Sequence, residues 1–188
     1  MKIKQLFYAV ALVFSFTAVK AQTEVPSGFT KGSITLADGT VISGFVKDNI
    51  KKSASVVYVD NTGANKKIYP GSQVNGVTID ATNYICISGD FFKTLSVGKM
   101  NFLQKASNAS GSVSYNGTEA IFNNGTEGKI GDYFAYADNK LKLLNKKSLE
   151  SFINTDLAVC APAVEKAKTI NGDIAKLQEA VDIYNKNR

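Results

Sequence analysis

The chain has 188 residues, 22 of them lysine or arginine against 16 aspartate or glutamate, with two cysteines, no histidine and no tryptophan. Without histidine, the usual general base of serine and cysteine hydrolases and the commonest zinc ligand are missing, which excludes hydrolytic triads. Arginine occurs only at Arg188, and the lysines are scattered, with pairs at Lys51-Lys52, Lys66-Lys67 and Lys146-Lys147; the basic excess lacks the clustered footprint of a nucleic-acid-binding protein.

The first element in chain order is an export signal over residues 1–21. Lys2 and Lys4 precede an apolar run from Leu6 to Val19, and Val19 and Ala21 stand at the minus-three and minus-one positions of a cleavage site between Ala21 and Gln22. Fourteen apolar-run residues are fewer than the ~20 that a spanning helix needs, so the mature chain is expected to carry no transmembrane segment. Cleavage removes three lysines and leaves 19 basic against 16 acidic residues. The expected product, residues 22–188, is one domain that is periplasmic or extracellular.

The mature chain then opens with KGSITLADGTVISGFVKD, Lys31 to Asp48. Its glycines suggest a phosphate loop, but such a loop opens a helix, whereas alternating strand residues flank this one. It reads as a hairpin: a strand over Ser33 to Leu36, a turn at Asp38-Gly39, and a return over Val41 to Val46. Gly32 and Gly44, inside or beside the strands, point to a bulge or a close approach of another element.

Further strands follow at Ala54 to Val59, Lys66 to Tyr69, Gly76 to Ile79 and Tyr84 to Ser88. A hairpin comes next, Phe91 to Val97 and Met100 to Lys105 around Gly98-Lys99, with Phe91, Leu95 and Val97 expected to share one face. The Asn-, Ser- and Gly-rich stretch from Ala106 to Gly131 is too long for a structureless loop, so a weak hairpin is expected between Ser112 and Asn123. Tyr133 to Ala137 and Lys140 to Leu144 form a last hairpin, with Tyr133 on one face and Phe134 and Tyr136 on the other.

From Asn145 the apolar period changes to about 3.6. Leu149, Phe152 and Ile153 mark one helix, and Ala163, Ala167 and Ile170 a second that begins near Pro162 and ends at Asn171-Gly172. Asp173 caps a final helix whose Ile174, Leu177, Val181 and Tyr184 form one stripe, expected to pack on the sheet. The expected fold class is therefore α+β: an antiparallel β-rich body over 22–144, as a roll, sandwich or partly open barrel, followed by two or three C-terminal helices over 145–188.

Chemistry is sparse. Gly98-Lys99 and Gly128-Lys129 lack the glycine five positions earlier and the following Ser or Thr of a phosphate loop. Asp38, Asp60, Asp90 and Asp138 stand beside Gly or Asn and read as turn residues rather than an acid and base pair. Asp60 to Asn65 lacks the ligand alternation of a calcium loop. Cys86 and Cys160 could pair under oxidising conditions, or each could be a small buried hydrophobe. No cofactor and no metal are expected.

Taken together, Lys31-Gly32-Ser33-Ile34, Asp38-Gly39-Thr40, Gly44-Phe45-Val46, the Phe92 to Phe102 hairpin with Gly98-Lys99 at its tip, the Tyr133 to Leu144 strand pair and the ending from Cys160 to Tyr184-Asn185 resemble a group of uncharacterised exported proteins of Bacteroidota-type bacteria. In that group the first turn runs glycine before aspartate, whereas here Asp38 precedes Gly39. The resemblance implies a bacterial protein, so the Asn-Gly-Thr triplets at Asn116 and Asn124 are read as turns rather than glycan acceptors. It implies no activity. The expected role is a non-enzymatic binding or interaction protein of the cell envelope, partnered by an envelope protein; the alternative is a carrier of a lipid or other apolar ligand in a curved sheet, and third a carboxylate-based glycosidase. Oligomeric state is left open.

Overall fold

The computed structural model describes residues 25–187 apart from 112, 116–119 and 123. The proposed signal, with Ala21 and Gln22, lies outside the described residues, as do Ser112, Asn116 and Asn123.

Ten strands form one antiparallel sheet: β1 (Thr30–Leu36), β2 (Val41–Asn49), β3 (Ser55–Val59), β4 (Lys66–Pro70), β5 (Val74–Ile79), β6 (Thr82–Ile87), β7 (Asp90–Ser96), β8 (Asn101–Lys105), β11 (Tyr133–Ala137) and β12 (Lys140–Leu144). Their spatial order is β12-β11-β8-β7-β6-β5-β1-β2-β3-β4, and the ends do not pair, so the sheet is open. Between β8 and β11, the short strands β9 (Val113–Tyr115) and β10 (Ala120–Phe122) pair, among the described residues, only with each other, which places the expected weak hairpin. The helices are α1 (Ile50–Ser53), which the sequence pattern does not announce, then α2 (Leu149–Thr155), α3 (Ala161–Lys168) and α4 (Leu177–Lys186). Short 3-10 turns at Gly71–Gln73 and Ile174–Lys176 precede β5 and α4. The Asp173 carboxylate accepts from the Ala175 amide as the expected cap.

Register assigns the side chains to two faces. On the front face of β1 to β7, Ile34, Val46, Val56, Tyr69, Val77 and Phe91 form one buried cluster. On the front face of β8, β11 and β12, Phe102, Ala135 and Leu144 pack under Phe152, Leu157, Ala167, Leu177 and Val181 of the helical layer. Lys93 and Gln104, paired across β7 and β8, stand between these two cores. The back face of the same region carries Phe92, Leu103 and Phe134, with Ile85, Ile87, Tyr136 and Leu143 around them. As alternation requires, Tyr133 stacks on Phe102 at 5.4 Å under the helices, while Phe134 meets Phe92 edge-on at 5.2 Å behind.

The first half of the sheet bends sharply. Gly32 and Gly44 face each other across β1 and β2. A methyl group on Gly32 would overlap the Thr78 carbonyl oxygen, and one on Gly44 the Val59 carbonyl oxygen and the Tyr58 ring. Both glycines are thus places of close approach. The same holds at Gly71, pressed against the Gly89 carbonyl oxygen, where the turn after β4 meets the turn between β6 and β7.

One expectation needs correction, and one open alternative is resolved. A bulge between Thr94 and Ser96 breaks the alternation of β7; Phe91 joins the first cluster and Leu95 the helical one, while Val97 is 74% exposed at the hairpin tip. Cys86 and Cys160 are both free thiols. Cys86 lies on β6 against the first cluster, and Cys160 begins α3 in the helical layer, so the bridge weighed from sequence is not formed. Burial, then Asp90, pushes the Cys86 thiol well above its ordinary pKa, so it is held as an inert thiol.

The two sheet edges are β12 and β4. They carry Lys140 and Lys142, and Lys66, Lys67 and Pro70, residues that oppose edge-to-edge pairing.

Candidate functional site

Two features could carry function: a buried charge pair and an open groove. Asp90 begins β7 beside Gly89, which is why it reads as a turn residue. Instead it is fully buried and ion-paired to the equally buried Lys105, Nζ to Oδ2 3.1 Å, at the end of β8. Asp90 Oδ1 accepts from the Ala109 amide (2.6 Å) and the Ser107 hydroxyl (3.3 Å), and Oδ2 from the Thr126 amide (2.8 Å) and hydroxyl (2.7 Å). Lys105 Nζ also donates to the carbonyls of Thr126, Glu127 and Gly128. A buried charge needs this completeness of pairing. The pair therefore fastens the excursion 106–131 to the back face and leaves no unshared donor or acceptor for a substrate. The signal in the sequence was Lys105 two residues after Leu103, which puts it on the same apolar face.

The excursion leaves and returns at one place. Lys105 N donates to Asp132 O, and Gly131 N to Lys105 O, each at 2.8 Å. Its returning stem lies on Phe134 and Leu143 through Gly128, where a methyl group would stand 3.0 Å from the Phe134 ring.

Several other carboxylates also have structural partners. Asp38 accepts from Thr40 N, Asp48 from Ile50 N, and Asp60 from Thr62, Ala64 and Asn65. Hydrogen bonds from Thr40 lower the pKa of Asp38; those from Thr62 and then Asn65 hold Asp60 at about 2; a hydrogen bond from Lys166 lowers Glu179. A general acid needs the opposite shift. Asp138 sits in the β11–β12 turn, where it and Asn139 both have positive φ, 49° and 58°, the signature of a type I′ hairpin turn. Asp182 accepts from Ser96 Oγ, in a dock described below. Among the described residues, no group of three His, Cys, Asp or Glu side chains could hold a metal ion.

The open groove, about 560 Å³, runs between the β11–β12 hairpin and α2. Met100, Ala135 and Ala137 give it apolar lining; Asp138, Lys140, Lys142 and Asp156 give it charge. Lys142 and Asp156 pair across it at 2.5 Å, and Lys142 lies 5.9 Å from the centre of the Phe152 ring. A second groove, about 390 Å³, lies at the mouth of the bent half, where Lys67 Nζ stands 4.6 Å from the Tyr69 ring centre. By contrast, the inside of the bend is filled by Ile34, Val46, Val56 and Phe91, all fully buried.

The final helix docks through polar atoms as well as through its apolar stripe. Gln178 Nε2 donates to Leu95 O, Ser96 Oγ donates to Asp182, and Asn185 both accepts from Met100 N (3.0 Å) and donates to Met100 O (2.8 Å). The spacing of these residues, four and three apart, gives one side of the helix. Gly98 is required beneath it, because a methyl group there would overlap the Asn185 amide. The motif pair Gly98-Lys99 and Tyr184-Asn185 is thus one contact. Among the described residues, no helix is long and apolar enough to cross a membrane.

No family model matches the chain, nor does any curated protein or solved structure.

Proposed function

We propose that the protein is an exported, non-enzymatic interaction protein of the cell envelope, acting through the groove between the β11–β12 hairpin and α2. The groove carries this reading: it combines an apolar lining with a charged rim, the make-up of a surface that holds a partner by burial and orients it by charge. The buried Asp90–Lys105 pair supports it from the other side, since its donors and acceptors are spent on holding the fold. A carrier of an apolar ligand is the weaker reading, because the bend that would enclose the ligand is occupied by side chains.

Site-directed photo-crosslinking tests the proposal. A photoreactive residue at Lys140 is expected to capture a discrete envelope component, competed by excess unlabelled protein, whereas one at Lys51 on α1 is not. Indistinguishable patterns from the two positions would overturn the reading.

A further inference from the structure

We infer that the outer face of α2 and α3 is a self-association surface whose partner is a second copy of this chain. Two grooves adjoin on this face. One, about 320 Å³, lies where α2 begins and α3 ends, among Leu149, Glu150 and Lys168; the other, about 350 Å³, lies where α2 ends and α3 begins, among Ala158, Ala161 and Val164. Ile153, Asn154 and Lys168 line both. Leu149 and Val164 are only half-buried, Ala158 and Ala161 are exposed, and Val159 in the turn between the helices is 60% exposed. Lys146, Glu150, Glu165 and Lys168 surround this apolar surface with two charges of each sign. Among the described residues, the ion pairs of the helical layer are Lys142–Asp156, Lys166–Glu179 and Lys176–Asp173, so all four of these charges are left unpaired. A partner of one charge sign would meet like charges at part of the rim; a rim of balanced sign suits its own copy. Glu165 and Lys168, three residues apart, share one side of α3. A two-fold axis passing between them sets Glu165 of each copy against Lys168 of the other, the reciprocal pairing of an isologous interface. The apolar surfaces then meet at the centre, inside a charged rim. This face shares no lining residue with the groove of the proposed function.

Sedimentation velocity of the purified protein over a concentration series tests this. The chain is expected to pass from monomer to dimer. Glu165→Lys sets like charges against each other at both contacts at once, and so does Lys168→Glu; each alone should raise the dissociation constant roughly a hundredfold. An equimolar mixture of the two variants should dimerise again, because the reversed residue of each copy then meets its complement on the other. That recovery also shows that both variants fold. A chain that stays monomeric throughout the series, which would leave the face to a different partner, a dimer that either single variant leaves intact, or a mixture no more associated than its components would each overturn the proposal.

Discussion

The two halves of the sheet bury their front faces by opposite means. The first half, β1 to β5, does it by leaving atoms out: Gly32, Gly44 and Gly71 let backbone meet backbone, and the sheet covers itself. The second half covers its faces with added chain, helices in front and the stems of the 106–131 excursion behind, each attached by polar side chains that reach backbone groups. The contrast teaches that close packing in one half depends on absent side chains and in the other on a few present ones. The two kinds of site should therefore fail differently.

The largest expected effect lies in the second half. Asp90→Ala leaves a buried lysine without its carboxylate and should cost about 3–5 kcal/mol, read as a fall in the urea midpoint. Buried ion pairs elsewhere are often replaceable by apolar residues, but here five backbone groups, Ala109 N, Thr126 N and the carbonyls of 126–128, depend on the pair. Asp90→Leu combined with Lys105→Met should thus recover little; full recovery would show that the ion pair does not hold the stems of the excursion.

In the first half, Gly71→Ala should cost about 1–3 kcal/mol by overpacking against Gly89, since the obstacle is backbone. A neutral result by thermal denaturation would mean that the bend is held elsewhere. At the α4 dock both mechanisms meet: Asn185→Ala should cost about 1–3 kcal/mol by orphaning the Met100 backbone. Gly98→Ala should be harmful alone yet milder in that background, a coupling that a double-mutant cycle reads directly.

The smallest effect belongs to the exposed Asp60 loop. Its folded pKa of about 2 lies below the ordinary 3.8, so whatever the loop contributes is present above about 3.8 and lost as pH falls through about 2. An NMR titration should show that midpoint, and Thr62→Val should move it upward.

The period of the sequence was enough to find the main sheet strands and the three C-terminal helices, because alternation and helical spacing are local. Three things were not local. The Thr94–Ser96 bulge shifts the pattern by one residue and turns Val97 outward. Asp90 satisfies a turn rule and a core role equally well, and only the position of Lys105 on an apolar face separates them. The groove assembles residues from the β11–β12 hairpin, Asp156 at the C-terminal cap of α2, and Met100, which no spacing rule joins. The glycines of the opening hairpin were legible as close approaches, though the groups they meet were not.

The closed neck at Lys105 has one more consequence, for how this chain can change length. Because the excursion starts and ends on neighbouring backbone bonds, residues added between its stems lengthen a loop whose ends stay fixed, and the expected cost is that of loop closure. Each doubling of that loop costs only about 0.6 kcal/mol. Insertions there should be absorbed where a single added methyl at Gly71 is not, which makes this stretch the natural place to accept a tag, a reporter or a grafted module.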